Sequence, residues 1–114
     1  MKILLVDDDN GTLVTLSLAL AQRGVQVDTA SDGVKALRML ERHQYEWLIT
    51  DASMAPMDGF ELARRAKDAK PTIKIVMISG VCDTEDVKDV PVSRLFTKPV
   101  DPDTLCSFLK SVPA

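Results

Sequence analysis

The chain has 114 residues, of which 46% are apolar, enough for one domain over residues 1–114 with its own hydrophobic core. Its net charge of −3 argues against a nucleic-acid-binding surface. The first apolar run ends at Val6, which is too short for a signal peptide or a membrane span, so we expect a cytoplasmic protein that binds no membrane. In that compartment Cys82 and Cys106 are expected to stay reduced.

The apolar pattern predicts five strands separated by helical segments. Residues 3–6 form a continuous apolar run, which is typical of a strand covered on both faces of a parallel sheet. Residues 25–29 alternate between apolar and polar side chains, as an edge strand does. Residues 47–51, 73–78 and 95–97 supply the remaining strands. This alternation predicts an α/β domain, doubly wound around a five-stranded parallel sheet, with helices on both faces.

The first two helices are predicted from apolar spacing and flanking polar residues. Asp9, Asn10 or Thr12 can cap the first helix, and Gly24 ends it. Six residues are predicted to form its buried face, namely Leu13, Leu16 and Leu20, with Val14, Leu18 and Ala21 widening it. Ser31 is the candidate cap of the second helix. The buried face of that helix is predicted to hold Val34, Leu37 and Leu40.

Three further helical segments are predicted in the second half of the chain. Residues 60–69 are helical up to Pro71, with an inward face of Leu62, Ala63 and Ala66. Residues 82–89 form a short, polar and weakly amphipathic segment that Pro91 cuts off. Asp101 is predicted to cap the last helix, with Pro102 at its first position. That helix is predicted to bury Leu105, Phe108 and Leu109.

Polar residues whose side chains can react or bind a metal follow four of the predicted strands. They are Asp7, Asp8 and Asp9 after the first strand, Asp51 at the end of the third, Ser79 after the fourth and Lys98 after the fifth. Because the carboxyl ends of parallel strands line one crevice, we expect these residues to share a site. A carboxylate can attack a phosphoryl group when cations offset the repulsion between the two anions. We therefore predict that Asp51 is a nucleophile, with a metal ion and Lys98 beside it.

These residues, in this order, resemble the receiver domain of two-component response regulators. The resemblance rests on Asp7-Asp8-Asp9, on Asp51 followed by Met54, Pro56 and Asp58-Gly59, on Ser79, and on Thr97-Lys98-Pro99. It spans the whole chain and implies the flavodoxin-like strand order 2-1-3-4-5. A receiver catalyses its own phosphorylation and dephosphorylation without being a dedicated enzyme.

The resemblance assigns a role to each site residue. It implies that Asp51 is the phosphoryl acceptor. Mg²⁺ is the implied cofactor, with Asp8, Asp51 and the backbone carbonyl of Ser53 as ligands and with Asp7 acting through water. Lys98 is expected to contact a phosphoryl oxygen, aimed into the crevice by a cis Lys98–Pro99 bond. Ser79 is expected to donate a hydrogen bond to the attached phosphoryl group and to draw its loop inward.

The resemblance also implies partners. The phosphoryl donor is expected to be a phosphohistidine on a sensor histidine kinase or a histidine phosphotransfer protein. We expect it to dock near Asn10, Thr12 and Thr15. Phosphorylation is then expected to switch a surface that binds a downstream protein, which the sequence does not identify.

Four features depart from the usual receiver pattern. Leu95 stands where many receivers carry an aromatic switch residue, and the adjacent Phe96 is expected on the opposite face of the sheet. Gly80 replaces the usual alanine, so the loop that it begins is expected to be looser. Ser53 is expected to influence the rate of dephosphorylation, and the loop proline stands one place late, at Pro56.

Three alternatives remain open on the residues alone. The chain can be a degenerate receiver that binds proteins without regulated phosphorylation, which Leu95 favours. It can be a flavodoxin-like cofactor binder, although Asp7-Asp8-Asp9 would repel a phosphate at that position. The three aspartates can also be solvated residues that only cap the first helix.

Overall fold

The computed structural model describes residues 1–80 and 87–112 of the chain. Within these residues the structure has five strands and four helices. In chain order they are β1 (Lys2–Val6), α1 (Asn10–Gln22), β2 (Gln26–Ala30), α2 (Gly33–Arg42), β3 (Trp47–Asp51), α3 (Gly59–Ala69), β4 (Lys74–Ser79), β5 (Arg94–Thr97) and α4 (Pro102–Ser111). The segment predicted as a weak helix over residues 82–89 lies mostly outside the described residues.

The five strands form one parallel sheet in the order β2-β1-β3-β4-β5, as the sequence predicted. Its register brings the ends of the central strands to one level, because Asp51 pairs with Ile78 and Ser79 pairs with Thr97. The residues that follow β1, β3, β4 and β5 therefore meet along a single edge. β2 and β5 are the outer strands, and β2 has the partly exposed face that its alternating pattern predicted.

An aspartate caps each of the four helices. The side chains of Asp9, Asp32, Asp58 and Asp101 each accept a hydrogen bond from the backbone N–H three residues further along the chain. These bonds satisfy backbone donors that would otherwise have no partner in the first turn. Asp9 and Asp101 were predicted as caps. The prediction of Ser31 for α2 was wrong by one residue, because Asp32 takes that position.

The sheet separates two hydrophobic clusters. On one face α2 and α3 pack through Ala36, Leu40, Leu62, Ala63 and Ala66 against alternate residues of β1, β3 and β4. On the other face α1 and α4 pack through Leu13, Leu16, Leu20, Leu105 and Leu109 against the intervening residues of the same strands. This alternation follows from the pleat of a strand, in which successive side chains point to opposite faces. Cys106 lies buried in the second cluster with a free thiol.

The structure corrects the predicted buried faces of α1 and α2. Val14 and Leu18 on α1 are 58% and 59% exposed, and Ala21 is exposed as well. Val34 on α2 is 41% exposed, while Ala36 takes a place in the core. α1 is apolar on all sides, so spacing alone does not show which side faces the sheet. Among the described residues no helix has the length and apolar character that a membrane crossing requires.

Candidate functional site

Three carboxylates lie together at the carboxyl edge of the sheet. Asp7 and Asp8 directly follow β1, and Asp51 is the last residue of β3. One carboxylate oxygen from each lies within 4.8 Å of the other two. Asp7 and Asp51 are only 3% and 7% exposed, whereas Asp8 is exposed to solvent. The sequence prediction that the ends of β1 and β3 share a crevice is therefore confirmed.

Lys98 brings a positive charge to these carboxylates. It follows β5, and its Nζ lies 3.1 Å from Oδ2 of Asp7 and 3.3 Å from Oδ1 of Asp51. The Lys98–Pro99 peptide bond is cis, as expected. The backbone N–H of Lys98 donates to the carbonyl oxygen of Ser79 at 3.0 Å, which links the end of β5 to the end of β4.

Asp7 uses both of its carboxylate oxygens within the protein. Oδ1 accepts a hydrogen bond from the backbone N–H of Asp9 at 3.0 Å, and Oδ2 faces the ammonium group of Lys98. Direct binding of a cation by Asp7 would compete with one of these contacts. Asp8 is exposed, and its carboxylate is more accessible to an incoming cation.

The environment raises the pKa values of two groups, which disfavours the charged form of Asp51 and favours the charged form of Lys98. Burial, together with the neighbouring charge of Asp7, raises the pKa of Asp51 above its ordinary value, although Lys98 and the backbone N–H of Ser53 oppose the change. For Lys98, burial lowers the pKa, but the hydrogen bond to Asp7 and the charges of Asp51 and Asp7 outweigh burial and raise it overall. Lys98 is therefore an ammonium ion at neutral pH.

The donor set fits a hard divalent cation. Three carboxylates and one ammonium group leave the cluster with an excess of negative charge. The pKa of Asp51 is raised first by burial and then by the charge of Asp7. Mg²⁺ prefers oxygen ligands of this kind and keeps several waters. Asp8 is open to solvent, so that water can complete the coordination of an ion at this place.

Ser79 and Ser53 are two serines near Asp51, one at the end of the neighbouring strand and one two residues later in the chain. Ser79 is the last residue of β4 and is buried, one position beyond the partner of Asp51 in the neighbouring strand. Ser53 is exposed, and its backbone N–H is hydrogen-bonded to the Asp51 carboxylate. Gly80, which follows Ser79, is exposed, and a Cβ added there would lie 3.9 Å from Cβ of Lys98. An alanine therefore fits at position 80 by ordinary contact.

Sequence reasoning missed the role of Gly59. The sequence prediction began this helix at residue 60, but Asp58 caps α3 and Gly59 is its first residue. The N–H of Gly59 donates to the carbonyl oxygen of Ala52 at 3.0 Å. A Cβ at Gly59 would overlap the carbonyl oxygen of Asp51 and lie 2.9 Å from Cα of Ala52. The glycine thus lets α3 begin directly against the backbone that carries Asp51.

β5 presents its two central side chains to different parts of the core. Leu95 packs against the α2–α3 cluster, while Phe96 packs against the α1–α4 cluster, as expected for adjacent strand positions. The centroid of the Phe96 ring lies 5.7 Å from that of the Phe108 ring of α4, and the Phe108 centroid lies 5.7 Å from that of the Trp47 ring. Phe96 is thus part of a packed aromatic row and does not substitute for Leu95 on the other face.

A groove borders the site on the side of α1. Its volume is about 530 Å³, and one wall is formed by α1 and the other by the segment that follows β5. The lining residues are Asp9, Gly11, Thr12, Thr15, Leu16, Ile78, Lys98, Pro99, Val100 and Pro102. Because Lys98 belongs to both, the groove is continuous with the carboxylate cluster.

The sheet order and this site together define a class of protein. A doubly wound parallel sheet with three carboxylates and a lysine at its carboxyl edge is a receiver-type α/β domain. The chain belongs to the family of response regulator receiver domains, whose match covers residues 3–110. The resemblance inferred from the sequence is thereby confirmed.

Relatives of known description support this membership. Transcriptional regulatory protein GlrR of Escherichia coli (strain K12) is 35% identical over 106 residues, which cover 90% of this chain and 24% of GlrR. Response regulator receiver protein CpdR of Brucella abortus (strain 2308) is 40% identical over 79 residues, which cover 69% of this chain and 66% of CpdR. The chain therefore spans about a quarter of GlrR and about two thirds of CpdR.

Solved structures show the same architecture. The chemotaxis protein CheY4 of Vibrio cholerae superposes with a TM-score of 0.90 at 29% sequence identity, and the match covers 98% of both chains. A CheY-like receiver domain protein from Methanospirillum hungatei JF-1 superposes with the same score at 27% identity, covering 96% of this chain.

Proposed function

We propose that this receiver domain accepts a phosphoryl group on Asp51 from a phosphohistidine of a partner protein. The observation that carries the proposal is the position of Asp51. Its carboxylate is buried at the end of a central strand, 3.3 Å from an ammonium group and within 4.8 Å of two further carboxylates. A solvated helix cap has none of these features, so the simpler interpretation of the aspartates is less satisfactory.

The reaction is a transfer between two nucleophiles. A carboxylate oxygen of Asp51 forms a bond to phosphorus as the bond between phosphorus and the donor imidazole nitrogen breaks, and the released histidine keeps that electron pair. Lys98 stabilises negative charge on a phosphoryl oxygen. Asp8, Asp51 and the carbonyl of Ser53, with Asp7 acting through water, would hold Mg²⁺, which would offset negative charge on the transferred group.

Ser79 then binds the phosphoryl group on Asp51. In this proposal its hydroxyl donates to a phosphoryl oxygen and draws the loop beginning at Gly80 toward Asp51. One charge-assisted hydrogen bond contributes about 1.5–3 kcal/mol, which shifts a two-state loop by tenfold or more. The altered loop changes the affinity of a surface for a downstream protein. This output, and a cytoplasmic location, are parts of the proposal that rest on the family alone.

The donor is proposed to approach along the groove beside α1. Thr12 and Thr15 line this groove, and Asn10 is exposed at the start of the same helix. The groove leads to Lys98, and its volume of about 530 Å³ leaves room for a side chain of the protein that carries the phosphohistidine. A sensor histidine kinase or a histidine phosphotransfer protein fits this description.

Labelling with a small phosphoryl donor tests the proposal. Acetyl phosphate with Mg²⁺ should add the mass of one phosphoryl group to the intact protein, and mild base should remove it. Asp51→Asn should remain unlabelled, while Asp58→Asn, a helix-capping change outside the carboxylate cluster, should be labelled normally. Equal labelling of wild type and Asp51→Asn would refute the assignment of the nucleophile.

Leu95 favours a second candidate function, a protein-binding module that has lost regulated switching. Its side chain is half-buried against the α2–α3 cluster and offers no ring to rotate toward Ser79. Beryllofluoride with Mg²⁺ distinguishes the two functions, since it imitates a phosphoryl group on an aspartate. Changes in amide NMR shifts at Ser79, Gly80 and the residues that follow support the switch, and unchanged shifts support the module.

A further inference from the structure

The outer face of α1 carries an apolar stripe that no part of the described chain covers. Four exposed residues form it, namely Gly11, Val14, Leu18 and Ala21. Their 3-4-3 spacing is that of the contact positions in paired helices. Val14 and Leu18 are the most exposed large apolar residues among those that the structure describes, at 58% and 59%. No charged residue occurs anywhere from Asn10 to Gln22.

The stripe is symmetric in chemical character about the level of Leu16. Val14 and Leu18 lie two residues before and after Leu16, and Gly11 and Ala21 lie five residues before and after it. The flanking polar positions repeat this symmetry, because the hydroxyl residues Thr15 and Ser17, and the amide residues Asn10 and Gln22, also form equidistant pairs. A face of this kind is complementary to the same face of a second copy that is rotated by 180°.

We propose that α1 pairs with α1 of a second copy of this chain, antiparallel and across a two-fold axis at the level of Leu16. In that register Val14 packs on Leu18 of the other copy, and Gly11 lies opposite Ala21, where two small residues allow close approach. Such an isologous contact is the commonest form of self-association. The helix dipoles then oppose each other, which favours the antiparallel arrangement.

The size of the contact makes the association weak and reversible. α1 has 13 residues, so the paired helices are about 20 Å long. One helix pair buries less than the roughly 1,200 Å² of a stable interface, which is the range of transient signalling contacts. We therefore expect dimers to accumulate at concentrations on the order of 0.1–1 mM.

The dimer also bears on access to the site, and this step rests on the proposed function. Gly11 and Thr15 belong both to the outer part of α1 and to the groove beside Lys98. A second copy seated on α1 would cover the mouth of the groove, so a protein donor and a second copy would exclude each other. Acetyl phosphate is small enough to reach Asp51 in either state.

Sedimentation velocity over about 10 µM to 1 mM tests the pairing at concentrations that span the expected range. Val14→Lys and Leu18→Glu each place a charge against an apolar partner, and each should raise the dissociation constant about tenfold or more. Mixing the two variants should restore association, because the introduced ammonium group of one chain then faces the introduced carboxylate of the other while the second Val14–Leu18 contact stays native. Val34→Lys, on α2, should behave as wild type.

Several outcomes would overturn the proposal. Wild type that is monomeric at 1 mM, or dimers that persist in both single variants, would exclude the contact. Failure of the mixture to associate would exclude the antiparallel register. If wild type stays monomeric and the variants lose phosphotransfer from a protein donor, the stripe binds the donor instead. Circular dichroism verifies folding, and acetyl phosphate labelling of the same samples separates a failed dimer from a failed phosphorylation site.

Discussion

Gly59→Ala gives a sharp test of how the fold positions Asp51. The added Cβ would overlap the carbonyl oxygen of Asp51 and lie 2.9 Å from Cα of Ala52, and neither backbone atom can rotate away. Overpacking of this kind costs up to about 3 kcal/mol, whereas replacing glycine in a helix regains about 1 kcal/mol. The net expectation is a loss of about 2 kcal/mol of unfolding free energy, equivalent to a fall in Tm of roughly 8 °C.

Thermal unfolding followed by circular dichroism measures this loss, and acetyl phosphate labelling measures its effect on Asp51. Labelling should slow because the end of β3 must shift to admit the methyl group. Gly80→Ala is the matched control, since among the described residues its Cβ would meet only Cβ of Lys98, at 3.9 Å, and its Tm should stay close to wild type. A Gly59→Ala protein with wild-type Tm and labelling rate would show that α3 does not bear on the backbone of Asp51.

Four further predictions address the site. Because the folded state raises the pKa of Asp51, ionisation of this carboxyl lowers the free energy of unfolding as pH rises through that pKa. Asp51→Asn should therefore be more stable than wild type at pH 7 without metal. Denaturant titrations should show that the difference in unfolding free energy between the two proteins narrows toward pH 4. Lys98→Met leaves Asp7 and Asp51 without a cation, and labelling should slow at least about tenfold, the equivalent of one lost charge-assisted hydrogen bond. Ser79→Ala should still gain a phosphoryl mass, but its amide NMR spectrum should respond less to beryllofluoride than that of wild type. Trp47 begins the strand that Asp51 ends, about 13 Å away, so Mg²⁺ should quench its fluorescence little; strong quenching would contradict the register of β3.

The positions of the candidate site residues could be predicted from the sequence because strand ends are visible in it. Continuous apolar runs that stop at Asp7, Asp51, Ser79 and Lys98 are sufficient to place these residues at one edge, once the sheet is parallel. These apolar runs do not specify the distances between the side chains of the site. The sharing of Lys98 between Asp7 and Asp51 depends on the register of three strands, which the structure supplies.

The wrong predictions of buried helix faces share a physical cause. Val14, Leu18 and Val34 are apolar residues on solvent-facing sides of helices, and periodicity alone does not distinguish a core face from a face that awaits a partner. Gly59 was missed for a different reason, since its importance comes from contact with the backbone of a distant segment. A glycine directly after a capping aspartate, where α3 meets the end of β3, is the signal that could have revealed it.

The division of the interior by the sheet limits how the protein can change over evolutionary time. The α2–α3 cluster and the α1–α4 cluster are filled by alternate residues of the same strands, so a methyl group lost on one side leaves a void that side chains on the other side have no path to fill. Compensating substitutions should therefore arise within one layer. Paired losses on opposite layers, such as Leu62→Ala with Leu105→Ala, should have nearly additive energetic costs.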